Sequence, residues 1–255
     1  MRLRIVAAAV LGLAITPHQA PAQGVLPAGF VYLRDIDASI AQDMRYAGAD
    51  NFVGRPLPGY EAAECILRRE VATALKRVQA SLAPSGLSLK VYDCYRPTRT
   101  VAAMASWAHD GRSGAATKRF FPKLQKGSLF AGYISSRSQH STGVAVDLTL
   151  VAAGGAPAAA FDPKATYGPC TAAPPERSPD NSIDMGTGYD CFDVKSHTRS
   201  AVSPEQRRSR NMLLAAMAAQ GFHNYFREWW HFSYGLSGHA WDFPIRAHDH
   251  PQVAR

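Results

Sequence analysis

The sequence has no uninterrupted apolar run approaching the 18 or more residues that cross a bilayer, no internal repeat and no heptads. Membrane-spanning bundles, solenoids and coiled coils are excluded on that ground. Charge is modest as well: 19% of the 255 residues are charged, and 28 Lys plus Arg against 20 Asp plus Glu leave a formal +8. The excess comes without basic runs or interleaved aromatics, so it carries no footprint for nucleic acid, and solubility accounts for it. Cysteine is scarce, four residues with no C-x-x-C spacing. The 46% of apolar residues are enough for one core, two at most, without staples.

Arg2 and Arg4, the apolar stretch Ile5 to Ile15 and the small-residue site Ala20-Pro21-Ala22 have the three regions of a secretory signal peptide. Residues 1–22 are expected to be removed, leaving 23–255 as one exported domain without an integral membrane anchor, with the periplasm as its destination. In an oxidising compartment an even number of cysteines pairs. Cys65 with Cys94 and Cys170 with Cys191 close the shortest loops and are the expected bridges.

Leu67, Val71, Leu75, Val78 and Leu82 recur at helical spacing, predicting a helix from about Glu64 that ends at Pro84-Ser85-Gly86. Leu87, Leu89 and Val91 alternate with polar residues, predicting a strand into Asp93-Cys94-Tyr95-Arg96-Pro97, with a helix from about Thr98 to Ala108. Val144 to Leu150 alternate in the same way, and Asp147 falls on that strand's polar face. Residues 152–184, rich in Ala, Gly, Pro and Ser, are expected to form a long surface loop pinned by Cys170 and to be a candidate lid. Ser203-Pro204-Glu205-Gln206 is a capping box opening a helix to Gln220, and Phe222 to Tyr234 is aromatic and strand-like. The stretch from Asp50 to Tyr60, which follows Ala41 to Tyr46, is turn-rich, and the N-terminal chain is expected to wrap the domain irregularly. The class is α+β, a single domain with a small, mostly antiparallel sheet and flanking helices.

Ser138-Gln139-His140 stands just before the Asp147 strand, and Glu228-Trp229-Trp230-His231 supplies a second imidazole with a carboxylate three residues earlier. A hydrolytic zinc site needs three protein ligands, an open position for water and a base that does not ligate. His140, Asp147 and His231 fill the ligand roles for one Zn2+, leaving Glu228 as the base. An i, i+3 pair points to opposite faces of a regular strand, so Glu228 and His231 require a helix, a bulge or a strand end.

With these residues in place, the sequence resembles the zinc D-alanyl-D-alanine dipeptidases, which include the vancomycin-resistance dipeptidases and are related to zinc D,D-carboxypeptidases and the hedgehog domain. The resemblance runs from about Tyr32 to Phe243 in ordered blocks: YAGADNFVG (46–54), Gly59-Tyr60, DCYRP (93–97), Ser138 to Leu150, MGTGYD (185–190) and EWWHF (228–232). It implies the hedgehog/DD-peptidase-like fold, hydrolysis of D-Ala-D-Ala or short peptidoglycan-derived peptides, zinc on His140, Asp147 and His231, and Glu228 as general base. By the same resemblance Arg96 stabilises the oxyanion, Asp190 pairs with the substrate's amino terminus, and Tyr46 and Ser138 line that pocket. Asp184 and Asp193 lie close enough in sequence to be confused with Asp190.

Two features depart from the compact family pattern: the length of the 152–184 connection, and export with four cysteines. An exported enzyme meets released wall fragments, so turnover or nutrient recovery is expected over antibiotic resistance. The rival activities are a D,D-carboxypeptidase or peptidoglycan endopeptidase of the same fold and a non-catalytic wall-binding module. A base at Glu228 argues against the last.

Overall fold

The computed structural model describes residues 26–112 and 114–248, so the proposed signal peptide lies outside the described residues. In chain order the elements are β1 (Phe30–Tyr32), α1 (Leu33–Ile36), β2 (Ala41–Gln42), β3 (Ile66–Arg68), α2 (Arg69–Leu82), β4 (Leu87–Asp93), α3 (Thr98–His109), β5 (Ala145–Ala152), α4 (Pro204–Ala218), β6 (Phe222–Asn224) and β7 (His231–Tyr234). Five strands form the main sheet in the order β2-β4-β5-β7-β6, and β1 pairs with β3 apart from it. Only β2 joins its neighbour in parallel; the other pairings are antiparallel. Helices α2 and α4 pack on each other and on this sheet.

Helix α2 buries Val71, Ala72, Ala74, Leu75, Val78 and Leu82, the stripe its spacing predicts. Each fully buried Val or Leu contributes roughly 1.5–3 kcal/mol. The helix starts later than predicted, because Leu67 belongs to β3, where it pairs with Val31. Its place at i−4 from Val71 is a coincidence of spacing that strand pairing overrides. Ser203 does form the capping box with Gln206, but α4 stops at Ala218, before Gln220, and Gly221 turns the chain at φ 88°. The aromatic stretch 222–234 is two strands joined by a turn, and the wrapping N-terminal chain contributes β1 and β2, short pairings that alternation cannot reveal in two or three residues.

A register shift between Val91 and Asp93 leaves Tyr92 as the extra residue of a bulge, so Asp93 stands opposite Asp147. Asp147 in turn stands opposite His231. One irregularity in β4 therefore aligns three polar side chains in a row across β4, β5 and β7.

Both expected disulfides are present, Cys65–Cys94 and Cys170–Cys191. The 152–184 segment is a long loop with a single 3-10 turn at Pro174–Glu176. Beyond its disulfide it is held by Asp180, which bonds Lys90 Nζ at 2.6 Å, Arg45 Nη2 at 2.9 Å and the Tyr92 hydroxyl at 2.6 Å. Burial acts to raise the Asp180 pKa, but Arg45 and Lys90 outweigh it and hold it well below the usual carboxylate range. Asp180→Asn leaves two buried cations short of a partner and is expected to cost about 3–5 kcal/mol in urea unfolding at pH 7. Because the folded pKa is depressed, this stabilisation is complete above about pH 4 and fades as pH falls, so wild type and variant converge in acid.

Candidate active site

His140 sits in the 3-10 turn Gln139–Thr142, whose exit needs Gly143: φ is 77°, and a Cβ there would lie 2.3 Å from the Phe30 ring. His140 Nδ1 donates to the Cys94 carbonyl at 2.7 Å, which fixes the tautomer and leaves Nε2 as a free lone pair. That Nε2 lies 3.1 Å from His231 Nδ1 and 3.3 Å from Asp147 Oδ1, and the last two are 3.0 Å apart. A tetrahedral ion with bonds of about 2.0–2.1 Å needs ligands about 3.3 Å apart, so the triangle fits one zinc. Burial pushes the His231 pKa down, favouring the neutral imidazole that a metal requires. The second oxygen of Asp147 accepts from the Tyr189 hydroxyl at 2.9 Å.

Glu228 occupies the turn between β6 and β7, so the strand-end alternative is the one realised. Asn224 Nδ2 donates to the carbonyls of Glu228 and His231, at 3.0 and 2.9 Å, and clamps the turn. Trp229 and Trp230 are buried core residues, Trp229 donating from its indole to Thr187. Glu228 Oε2 is left 3.9 Å from His231 Nδ1. Burial and the charges of Asp147 and Asp190 raise the Glu228 pKa well above the usual glutamate range, against Arg96.

Arg96 presents Nε and Nη2 to Asp93 Oδ2, both at 2.8 Å, and its guanidinium lies over the Tyr46 ring. Asp93 also accepts from the Tyr60 hydroxyl. Tyr46 OH donates to Asp190 Oδ2 at 2.7 Å, and Asp190 takes the rare positive φ of 54°. Burial, with help from Asp147, lifts the Asp190 pKa to about 8, Tyr46 and Arg96 acting in opposition. Ser138 Oγ accepts from the His140 backbone at 3.3 Å, a capping role, while the residue also lines the site.

All eight site residues nominated from the sequence line one cavity of about 900 Å³. Asp184 and Asp193 do not: Asp184 is held by Arg177 and Gln206, and Asp193 caps the turn at Val194–Ser196. The 152–184 loop is not a lid either, since none of its residues lines this cavity; Asp180 ties it to Lys90 and Tyr92 of β4 and to Arg45. Phe130 and residues 132–139, which have no periodicity to mark them, form part of the wall instead. Asp93, Tyr60 and Tyr189 carried no assigned role in the sequence reading, although each lies in one of the quoted blocks, DCYRP, Gly59-Tyr60 and MGTGYD.

Two imidazoles, one carboxylate and a non-ligating glutamate in an open cavity define a zinc metallopeptidase. The family model described as D-ala-D-ala dipeptidase matches residues 27–159 and 177–251, leaving out the middle of the long loop. The chain belongs to this family. A D-alanyl-D-alanine dipeptidase of Streptomyces coelicolor is 32% identical over 85% of this chain and 98% of its own, and one of Enterococcus faecalis is 29% identical over 80% and 90%. Among solved structures, the vancomycin-resistance D,D-pentapeptidase VanY shares 15% identity at a TM-score of 0.35 over 76% of this chain and 86% of its own.

Tyr189→Phe removes the hydrogen bond that holds Asp147 in place. It is expected to lower zinc affinity about 10- to 100-fold in chelator competition, with circular dichroism unchanged.

Proposed function

We propose that the protein hydrolyses D-Ala-D-Ala to two D-alanines outside the cytoplasm, on dipeptide released in peptidoglycan turnover. The observation that carries the reading is the juxtaposition, in one cavity, of the His140–Asp147–His231 triangle with Glu228 and with the Asp190–Tyr46 pair. His140, Asp147 and His231 would hold the zinc ion, which would supply Lewis acidity for the scissile carbonyl and the attacking water. Glu228 takes a proton from the water and passes it to the leaving amine. Arg96, fixed by Asp93 through Nε and Nη2, keeps its Nη1 donors for the carbonyl oxygen as it gains charge.

Asp190, aligned by Tyr46, meets the substrate's ammonium group, and Ser138 forms part of the same wall. The basic, apolar and small-residue regions of residues 1–22, together with two disulfides, support export to the periplasm.

Purified protein is expected to release D-alanine from D-Ala-D-Ala, to lose this on chelation, and to leave a pentapeptide ending in D-Ala-D-Ala intact. Glu228→Gln keeps the metal and loses about 10²–10⁴ in kcat. Cleavage of the pentapeptide alone moves the assignment to a carboxypeptidase; bound zinc without turnover moves it to a binding module. Since only charged Asp190 pairs with ammonium, KM for the dipeptide is expected to fall as pH rises from about 6 to 8, a dependence that Asp190→Asn removes.

A further inference from the structure

A dipeptide has two charged ends, and the residues assigned so far answer only one of them. The acids on the cavity wall are Asp147, Asp190 and Glu228. Among the described residues the wall holds two guanidinium or ammonium side chains, Arg96 and Arg137. Arg96 is committed: Asp93 takes its Nε and Nη2 at 2.8 Å, and Asp147 lies 3.7 Å from Nη2. Arg137 is exposed to the cavity, and among the described residues its side chain makes no hydrogen bond and no ion pair; only its backbone N–H is engaged, by Ser135 Oγ at 3.1 Å.

Its position in the chain matters as well. Arg137 directly precedes Ser138, which caps the turn carrying His140, so three residues, at most about 11 Å of chain, separate its Cα from that of the ligand. In the substrate the carboxylate carbon is three bonds, at most about 4 Å, from the scissile carbonyl carbon. An unpaired guanidinium on the same wall is the complement such a carboxylate lacks elsewhere in the cavity.

We propose that Arg137 is a specificity-determining residue that binds the free C-terminal carboxylate of the substrate, so that Asp190 and Arg137 together measure a dipeptide from end to end. This rests on the dipeptidase reading above. The carboxylate lies on the leaving D-alanine and keeps its charge throughout, so the contact is equal in ground and transition states and acts on KM more than on kcat.

The test compares D-Ala-D-Ala with its C-terminal amide, using zinc-loaded wild type, Arg137→Gln and Arg137→Lys, with zinc content checked in each. Wild type is expected to prefer the acid. Arg137→Gln lowers kcat/KM on the acid about 10- to 100-fold, mostly through KM, and leaves the amide within about twofold, so the preference collapses. Arg137→Lys restores part of it. Equal losses on both substrates, no loss on either, or a wild type indifferent to the amide each overturn the assignment while leaving the dipeptidase reading intact. A wild type that cleaves neither substrate overturns both.

Discussion

A carboxylate buried in the middle of a five-stranded sheet is unstable unless its charge is answered, and Asp147, 2% exposed on β5, is that carboxylate. Burial acts to raise its pKa, yet His140 and His231 prevail and hold it well below the usual range. The Tyr189 hydroxyl answers its second oxygen. Much of the surrounding architecture delivers these partners. The antiparallel register places His231 beside it, the bulge in β4 places Asp93 on the other side, where it holds the Arg96 guanidinium 3.7 Å from Asp147, and the Gly143 turn brings His140 in from the preceding loop. A site held by three adjacent strands is positioned more firmly than one held by loops alone.

The two disulfides reinforce this. Cys65–Cys94 joins the chain entering β3 to the chain leaving β4, and it is the Cys94 carbonyl that accepts the hydrogen bond from His140 Nδ1–H. Orientation of the His140 imidazole and closure of a covalent loop thus meet at one residue. Cys170–Cys191 ties the long loop to the residue after Asp190, beside the strained φ of that aspartate.

The residues proposed as ligands and base could be picked out together because two imidazoles, a carboxylate and a spare glutamate are a restrictive set, and the structure brings all four to one cavity. The long elements were legible through period, α2 and α4 from spacing or capping and β4 and β5 from alternation. Short pairings such as β1 with β3 left no period, and Leu67 passed for helix because its spacing happens to agree with that of Val71. The lid expectation failed for a different reason. Composition marks residues 152–184 as a loop but does not say what it packs against, and Asp180 binding Arg45 and Lys90 decides that. Asp93 and Tyr189 act through other residues, so their importance emerges only once the bulge and the tyrosine hydroxyl are seen in space.

The most direct measurement is zinc stoichiometry combined with X-ray absorption on the purified, chelator-stripped and zinc-reloaded protein. One zinc per chain with two imidazole nitrogens, one carboxylate oxygen and a further light-atom ligand is the predicted result, with the ion lost in His140→Ala and Asp147→Ala. Sulfur in the coordination shell, or full zinc loading in those two variants, would contradict the account.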